Sequence, residues 1–132
     1  MKKKKEAIVP RRLVRKVVVE ATSASGICAA CTHDMCAERR VLRLAIQRVS
    51  RDRRPTLHAV RSAMGGVVCV ERVKADGSMG CCKPCLGCQM ALRPLDLHVR
   101  YVDEDGAWCV TRSGDLVGGM VTVSDRRRWG RT

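Results

Sequence analysis

The apolar residues of the chain change period several times, and each change marks an element. From Leu42 the positions Leu42, Ala45, Ile46 and Val49 fall at i, i+3, i+4 and i+7, with Arg39, Arg40, Arg43 and Arg48 left to face solvent. This predicts an amphipathic helix with Cys36 and Glu38 in its first turn, Thr32 or Asp34 as its cap, and an end over Ser50 to Pro55. Upstream, Val17-Val18-Val19 within Leu13 to Glu20 is a β-branched run expected in a buried strand, followed by a loop over Ala21 to Gly26. Downstream, Thr56 to Ser62 reads as a strand with Leu57 and Val60 inward, and Val67 to Val73 as a second, valine-dense one. After a turn at Ala75-Asp76-Gly77, Pro84 sets a helical φ at the first position of a short helix that carries Leu86, Met90 and Leu92 and stops at Pro94. Leu97, Val99 and Tyr101 alternate with His98 and Arg100, the period of a half-buried strand. Asp103-Glu104-Asp105-Gly106 turns that strand into Trp108-Cys109-Val110, and Met120 to Val123 offers a last strand. The order predicts an α/β domain with a mixed sheet over residues 13–124, between a basic tail at 1–12 and another at 125–132.

Composition changes this picture in two ways. With 132 residues, 45% of them hydrophobic, the chain can bury one core without staples. The balance of 26 Lys and Arg against 13 Asp and Glu leaves +13, which favours nucleotides, nucleic acid or other anions as partners. Much of that excess lies in the termini, at Lys2 to Lys5, Arg11, Arg12, Arg15, Arg126 to Arg128 and Arg131, where a solvated tail, or a nuclear address in the lysine run, is an equally good reading. Tyr101, Trp108 and Trp129 are the only aromatic residues, too few rings for a dedicated single-strand binder. Ala7-Ile8-Val9-Pro10 is too short for the apolar part of a signal peptide, and no run reaches membrane-spanning length. An intracellular protein of cytoplasm or nucleus is therefore expected, with its nine cysteines reduced and serving as metal ligands or as small buried residues.

The cysteines bring in the chemistry. Cys85 and Cys88 have the spacing at which two thiols close on one tetrahedral zinc, and a helix start lowers thiol pKa. Cys36 is a candidate third ligand, and Glu38 a candidate carrier of protons to and from an activated water. Side chains two apart on a regular helix diverge by about 200°. Cys36 and Glu38 can therefore reach one site only if Cys36 stands at the helix start, where the backbone is not yet helical. Arg39 is placed to offset the negative charge of a three-thiolate site. A closed four-ligand zinc module is the competing pattern, since Cys28-Ala29-Ala30-Cys31, His33 and Cys82-Lys83-Pro84-Cys85 supply further ligands. Cys28, Cys31, Cys81 and Cys82 could form a second metal site or be buried thiols. Cys69 and Cys109 are expected in the core, as is Trp108. His33 reads as an ordinary loop histidine, His58 as structural and His98 as solvent-facing.

Cys36-Ala37-Glu38-Arg39 followed far downstream by Pro84-Cys85-Leu86-Gly87-Cys88 resembles the zinc-dependent cytidine deaminase superfamily, and is most similar to its small three-cysteine nucleoside deaminases. The likeness spans about Cys36 to Val110. Leu86-Gly87 stands where those enzymes usually have Gly-x, and their Asn-x-Glu-Asn ribose-binding segment is absent. The resemblance implies a cytidine-deaminase-like sheet with two motif-bearing helices. The family has two strands before the first motif, against one expected here, so the N-terminal part should be shortened. It also implies zinc on Cys36, Cys85 and Cys88, with Glu38 shuttling protons. Water would attack C4 of a cytosine-type base in a nucleoside, nucleotide or polynucleotide, releasing ammonia. Assembly into homo-oligomers would fit the same family. A non-enzymatic zinc protein acting on nucleic acid is the alternative.

Overall fold

The computed structural model describes residues 17–32, 34–119, 121–122 and 125–127. The tail expected at 1–12 lies outside these residues, as do His33 and residues 128–132 of the tail expected at 125–132, whose first residues, 125–127, are instead helical with Asp125 buried. Strand β1 (Val18–Ser23) turns back at once into β2 (Cys28–Ala30). Ser23 closes that hairpin twice: its N–H donates to the Ile27 carbonyl at 2.8 Å, and its hydroxyl accepts from the Ile27 N–H at 3.0 Å. Gly26, at φ 98°, takes the left-handed turn position that a side chain would strain. The N-terminal part thus holds two strands rather than the single one expected. The sequence Cys-Ala-Ala carries no β-branched residue. Its extended form is specified by pairing, Ala21 with Ala29 and Glu20 with Ala30, and not by its own propensity.

Helix α1 (Ala37–Ser50) follows the predicted span. Its buried stripe is Ala37, Glu38, Val41, Ala45 and Val49, one step round from the expected face. Ile46 is exposed and Leu42 half-buried, because α2 lies against that side and leaves a groove of about 280 Å³ between Leu42, Ile46, Leu57, Val60 and Leu95. Helix α2 (Leu57–Met64) replaces the strand expected at 56–62. The Thr56 hydroxyl accepts from the Ala59 N–H at 3.1 Å, capping the helix, and Gly65 ends it at φ 73°. The same Leu57 and Val60, joined by Met64, have helical spacing once the cap is recognised.

Strand β3 (Val67–Val73), helix α3 (Leu86–Leu92), a 3-10 turn (Arg93–Leu95), strands β4 (His98–Val102) and β5 (Trp108–Arg112) and a second 3-10 turn (Ser113–Asp115) complete the order. Pro94 stops α3 as expected, but Pro84 lies before the helix and not at its first position, since Cys85 is the cap. Val121 and Thr122 take no strand conformation, and the rest of the strand expected at 120–123 lies outside the described residues.

The five strands form one mixed sheet in the order β2-β1-β3-β4-β5. All neighbours are antiparallel except β3 and β4, whose parallel pairing requires the crossover that α3 supplies. On one face Ala29, Ala21 and Val70 form a cross-strand row, with Val68 and Val99 in the next, and helix α1 packs against them. Met64, Leu92, Leu97 and Leu116 are the largest apolar side chains fully enclosed there, each stabilising the fold by about 1.5–3 kcal/mol. Thr22, Glu71, His98 and Arg100 point to the other face. Trp108 is not in the core. It is 42% exposed, and the Arg100 guanidinium stacks on it at 4.7 Å. Cys69 and Cys109 are only half-buried.

Candidate metal centre

Two helices begin at the same point. Cys36 caps α1 with an extended backbone, φ −69° and ψ 153°, and Cys85 caps α3 at φ −67° and ψ 166°. Neither cysteine side chain makes a capping hydrogen bond to its own helix, so each sulfur is free to turn toward the other helix. The Sγ atoms of Cys36 and Cys85 lie 3.5 Å apart, and with the buried Cys88 all three sulfurs fall within 4.8 Å of one another. Around a tetrahedral ion with bonds near 2.3 Å, sulfurs stand about 3.8 Å apart. The observed spacing brackets that distance, so the three cysteines could hold a metal ion. The extended cap also meets the geometric condition set by the sequence: Cys36 is outside the helix, so it and Glu38 share a site.

Thr32, one of the caps expected for α1, is used just upstream, where its hydroxyl accepts from the Met35 N–H at 3.1 Å. The groups Cys28, Cys31, Cys81 and Cys82 do not gather. Among the described residues Cys36, Cys85 and Cys88 form the only cluster of three metal-ligating side chains. Cys82 is instead a packed core thiol, donating to the Val70 carbonyl at 3.1 Å and accepting from the Val102 N–H at 3.2 Å.

The three thiols share their charge unequally. Cys85 is brought down to about 2, first by the hydrogen bond from Cys36 and then by that from Cys88. Cys36 is pushed up to about 11 as the partner that donates to Cys85. Cys88 is driven upward by its hydrogen bonds with Cys36 and Cys85 and by burial. Glu38 is 4% exposed, and burial lifts its carboxyl to about 7. Its neighbour Cys31 is also raised by desolvation and by the Glu38 charge.

Arg39 reaches back over the cluster, its Nη2 3.4 Å from Cys36 Sγ and 3.7 Å from Cys85 Sγ. Periodicity did not reveal what holds it there. Asp125, which the sequence places at the start of the basic tail, is 1% exposed and accepts from Arg39 Nη1 at 3.0 Å and Nη2 at 2.7 Å. This bidentate pair holds Arg39 ionised and Asp125 well below the usual carboxylate range. Gly87 makes the arrangement possible. A Cβ there would collide with Asp125 Oδ2 and lie 3.0 Å from Arg39 Nη2. The buried Gln89 steadies the same stretch by donating to the Pro84 carbonyl at 3.0 Å and to that of Gly118. One signal for Asp125 was present: it is the lone acid before Arg126-Arg127-Arg128.

A cavity of about 310 Å³ opens beside the sulfurs, lined by Cys36, Glu38 and Cys85 on one side and by Val17, Val19 and Val70 on another. Fold and site together define a mixed α/β protein with a three-cysteine candidate metal centre at two convergent helix starts. Compared with family models, curated proteins and solved structures, the chain matches none. No helix among the described residues is long and apolar enough to cross a membrane.

Proposed function

We propose that the protein is a zinc-dependent hydrolase that removes the exocyclic amine of a cytosine-type base. The observation that carries this reading is the placement of the buried Glu38 carboxyl and the Cys36 and Cys85 sulfurs on the wall of one cavity. The second N-terminal strand supports it further, since the family that the two motifs resemble has two strands before the first of them.

A soft, three-sulfur donor set suits zinc, and zinc held by Cys36, Cys85 and Cys88 would supply Lewis acidity that brings a water's pKa toward neutrality. Glu38 then takes one proton from the water as its oxygen bonds to C4 and passes it to ring N3, and afterwards takes the second proton from that oxygen and passes it to the amine, so that the C4–N bond breaks, ammonia leaves and a carbonyl remains at C4. A carboxyl poised near neutrality suits both halves of that transfer. Arg39 donates toward two of the sulfurs and favours their thiolate form. Because Asp125 neutralises most of its net charge, Arg39 acts through oriented N–H groups more than as a free positive charge. Val17, Val19 and Val70 provide an apolar wall for a planar ring.

Metal analysis and turnover of Glu38→Gln test this. One zinc per chain should be retained while deamination falls by about 10²- to 10⁴-fold. Zinc-loaded wild type that releases no ammonia from cytidine, a cytidine nucleotide or a cytosine-containing strand would overturn the proposal in favour of a structural zinc protein.

A further inference from the structure

Two cations line the catalytic cavity away from the chemistry, and nothing in the deamination step uses them. Arg72 follows Val70 by two residues on β3, so both project to the same side of the sheet, with Arg72 roughly 6–7 Å farther along the strand. Val70 is buried and Arg72 exposed, so the cavity wall passes from apolar to cationic in that one step. Lys83 comes from the other side, two residues before Cys85. A Cβ on Gly118 would lie 3.7 Å from Lys83 Nζ, so the ammonium stands beside the Gly118-Gly119 bend.

Arg72, Cys81 and Lys83 also wall a second hollow of about 280 Å³, closed by Glu104 and Gly119, which none of the three clustered cysteines reaches. The two spaces therefore share a cationic boundary, with Glu38 and the sulfurs on one side of it. Neither Arg72 nor Lys83 has an ion-pair partner among the described residues; Arg72 makes only a 3.5 Å contact to the Cys81 carbonyl. Glu104 is the one acidic group facing the second hollow, and no ion pair ties it to either cation among the described residues. Arg72 and Lys83, neither with an ion-pair partner among the described residues, stand on the wall of the cavity that Glu38 also lines and together form an anion site there. A base carried on a sugar phosphate presents such an anion beside the ring that the deaminase reading places in this cavity.

We infer that the substrate is a phosphate-bearing cytosine nucleotide, with its phosphate held by Arg72 and Lys83. This rests on the deaminase reading of the same cavity for the identity of the base. Arg72 supplies a planar fork for two phosphate oxygens, and Lys83 supplies a point charge on the third. The phosphate belongs either to a mononucleotide or to a strand, and the two sources are separable.

Zinc-loaded full-length protein is titrated calorimetrically with cytidine, cytidine 5′-monophosphate and a short single strand of cytosines, and ammonia release is measured on each. Binding of the monophosphate about tenfold or more tighter than cytidine is expected, with the advantage erased in Arg72→Met/Lys83→Met and kept in Arg72→Lys/Lys83→Arg. The charge-conserving pair guards against a folding defect. The same dependence seen with the strand alone assigns the phosphate to a polymer and also upholds the inference. Cytidine binding as tightly as both phosphorylated ligands, or an advantage that survives the double neutralisation, overturns it. The two readings fail separately. Phosphate-dependent binding without ammonia from any ligand removes the deaminase and leaves the phosphate site. Equal turnover and equal binding of cytidine and both phosphorylated ligands do the reverse.

Discussion

Asp125 and Gly87 carry as much of the site's geometry as the cysteines between which Arg39 reaches. Replacing Asp125 with Asn keeps the shape but removes the carboxylate counter-charge of the Arg39 guanidinium and leaves it a buried amide instead. Arg39 retains 17% exposure, so water softens the penalty, and a loss of about 2–3 kcal/mol in a denaturant melt is expected. Competition with a chelator should show metal held about 10- to 100-fold more weakly, the usual consequence of losing a residue that orients a ligand shell. Gly87→Ala sets two effects against each other. Helix propensity alone would stabilise by about 1 kcal/mol, whereas collision with Asp125 and Arg39 costs about 1–3 kcal/mol. The collision is with a carboxylate locked by two hydrogen bonds, so net destabilisation and weakened metal binding are expected, measured by melting and by metal content. A stabilised variant with full metal content would show that the clasp yields freely. The place of Arg39 beside the thiolates was legible along the sequence, but its clasp by Asp125 was not, because the two are 86 positions apart.

At the scale of elements, the two helices that matter were readable for different reasons. In α1 the apolar repeat gave the span, yet its buried face is set by the sheet and by α2, which is why Ile46 is exposed and Glu38 buried. In α3 the proline and the paired cysteines located the start, and the structure moved the first helical position from Pro84 to Leu86, with Cys85 as the cap. Two short segments misled. Residues 56–62 carry β-branched and apolar types in a pattern that suits either period, and the hydrogen bond from the Ala59 N–H to Thr56 decides for helix. Thr56→Ala should therefore lower stability by about 1 kcal/mol while leaving metal content unchanged, since α2 carries none of the three clustered cysteines. Strand β2 has no strand-forming residues of its own and exists because β1 is there to pair with it.

For the whole molecule, a metal ion on the three cysteines would add a link between two parts of the chain that the sheet already pairs through β1 and β3. Cys36 leads out of the β2 side of the sheet and Cys85 leads out of β3, so an ion on both sulfurs links two halves of the fold. Removing metal should lower the melting temperature in proportion to its binding free energy, about 2.7 kcal/mol when free metal stands at 100 times its dissociation constant. Thermal melts with and without chelator check this, and Cys88→Ser should melt like the chelated protein in both conditions. Where positive charge faces the cavity, at Arg72 and Lys83, it concerns what approaches.

By itself, the sequence determined the segments β1, α1, β3, α3, β4 and β5, though not α2 or β2, together with the candidate ligands and the acid beside them. These rest on short-range periodicity and on residue chemistry, both local to the chain. Only the tertiary structure decided that three of nine cysteines converge while Cys28, Cys31, Cys81 and Cys82 do not, that Asp125 clasps Arg39 over Gly87, and that two cations share the cavity. Each of those is a meeting of residues far apart in sequence. What brings them together is burial of one face of a five-stranded sheet beneath helices, a constraint that no local window contains.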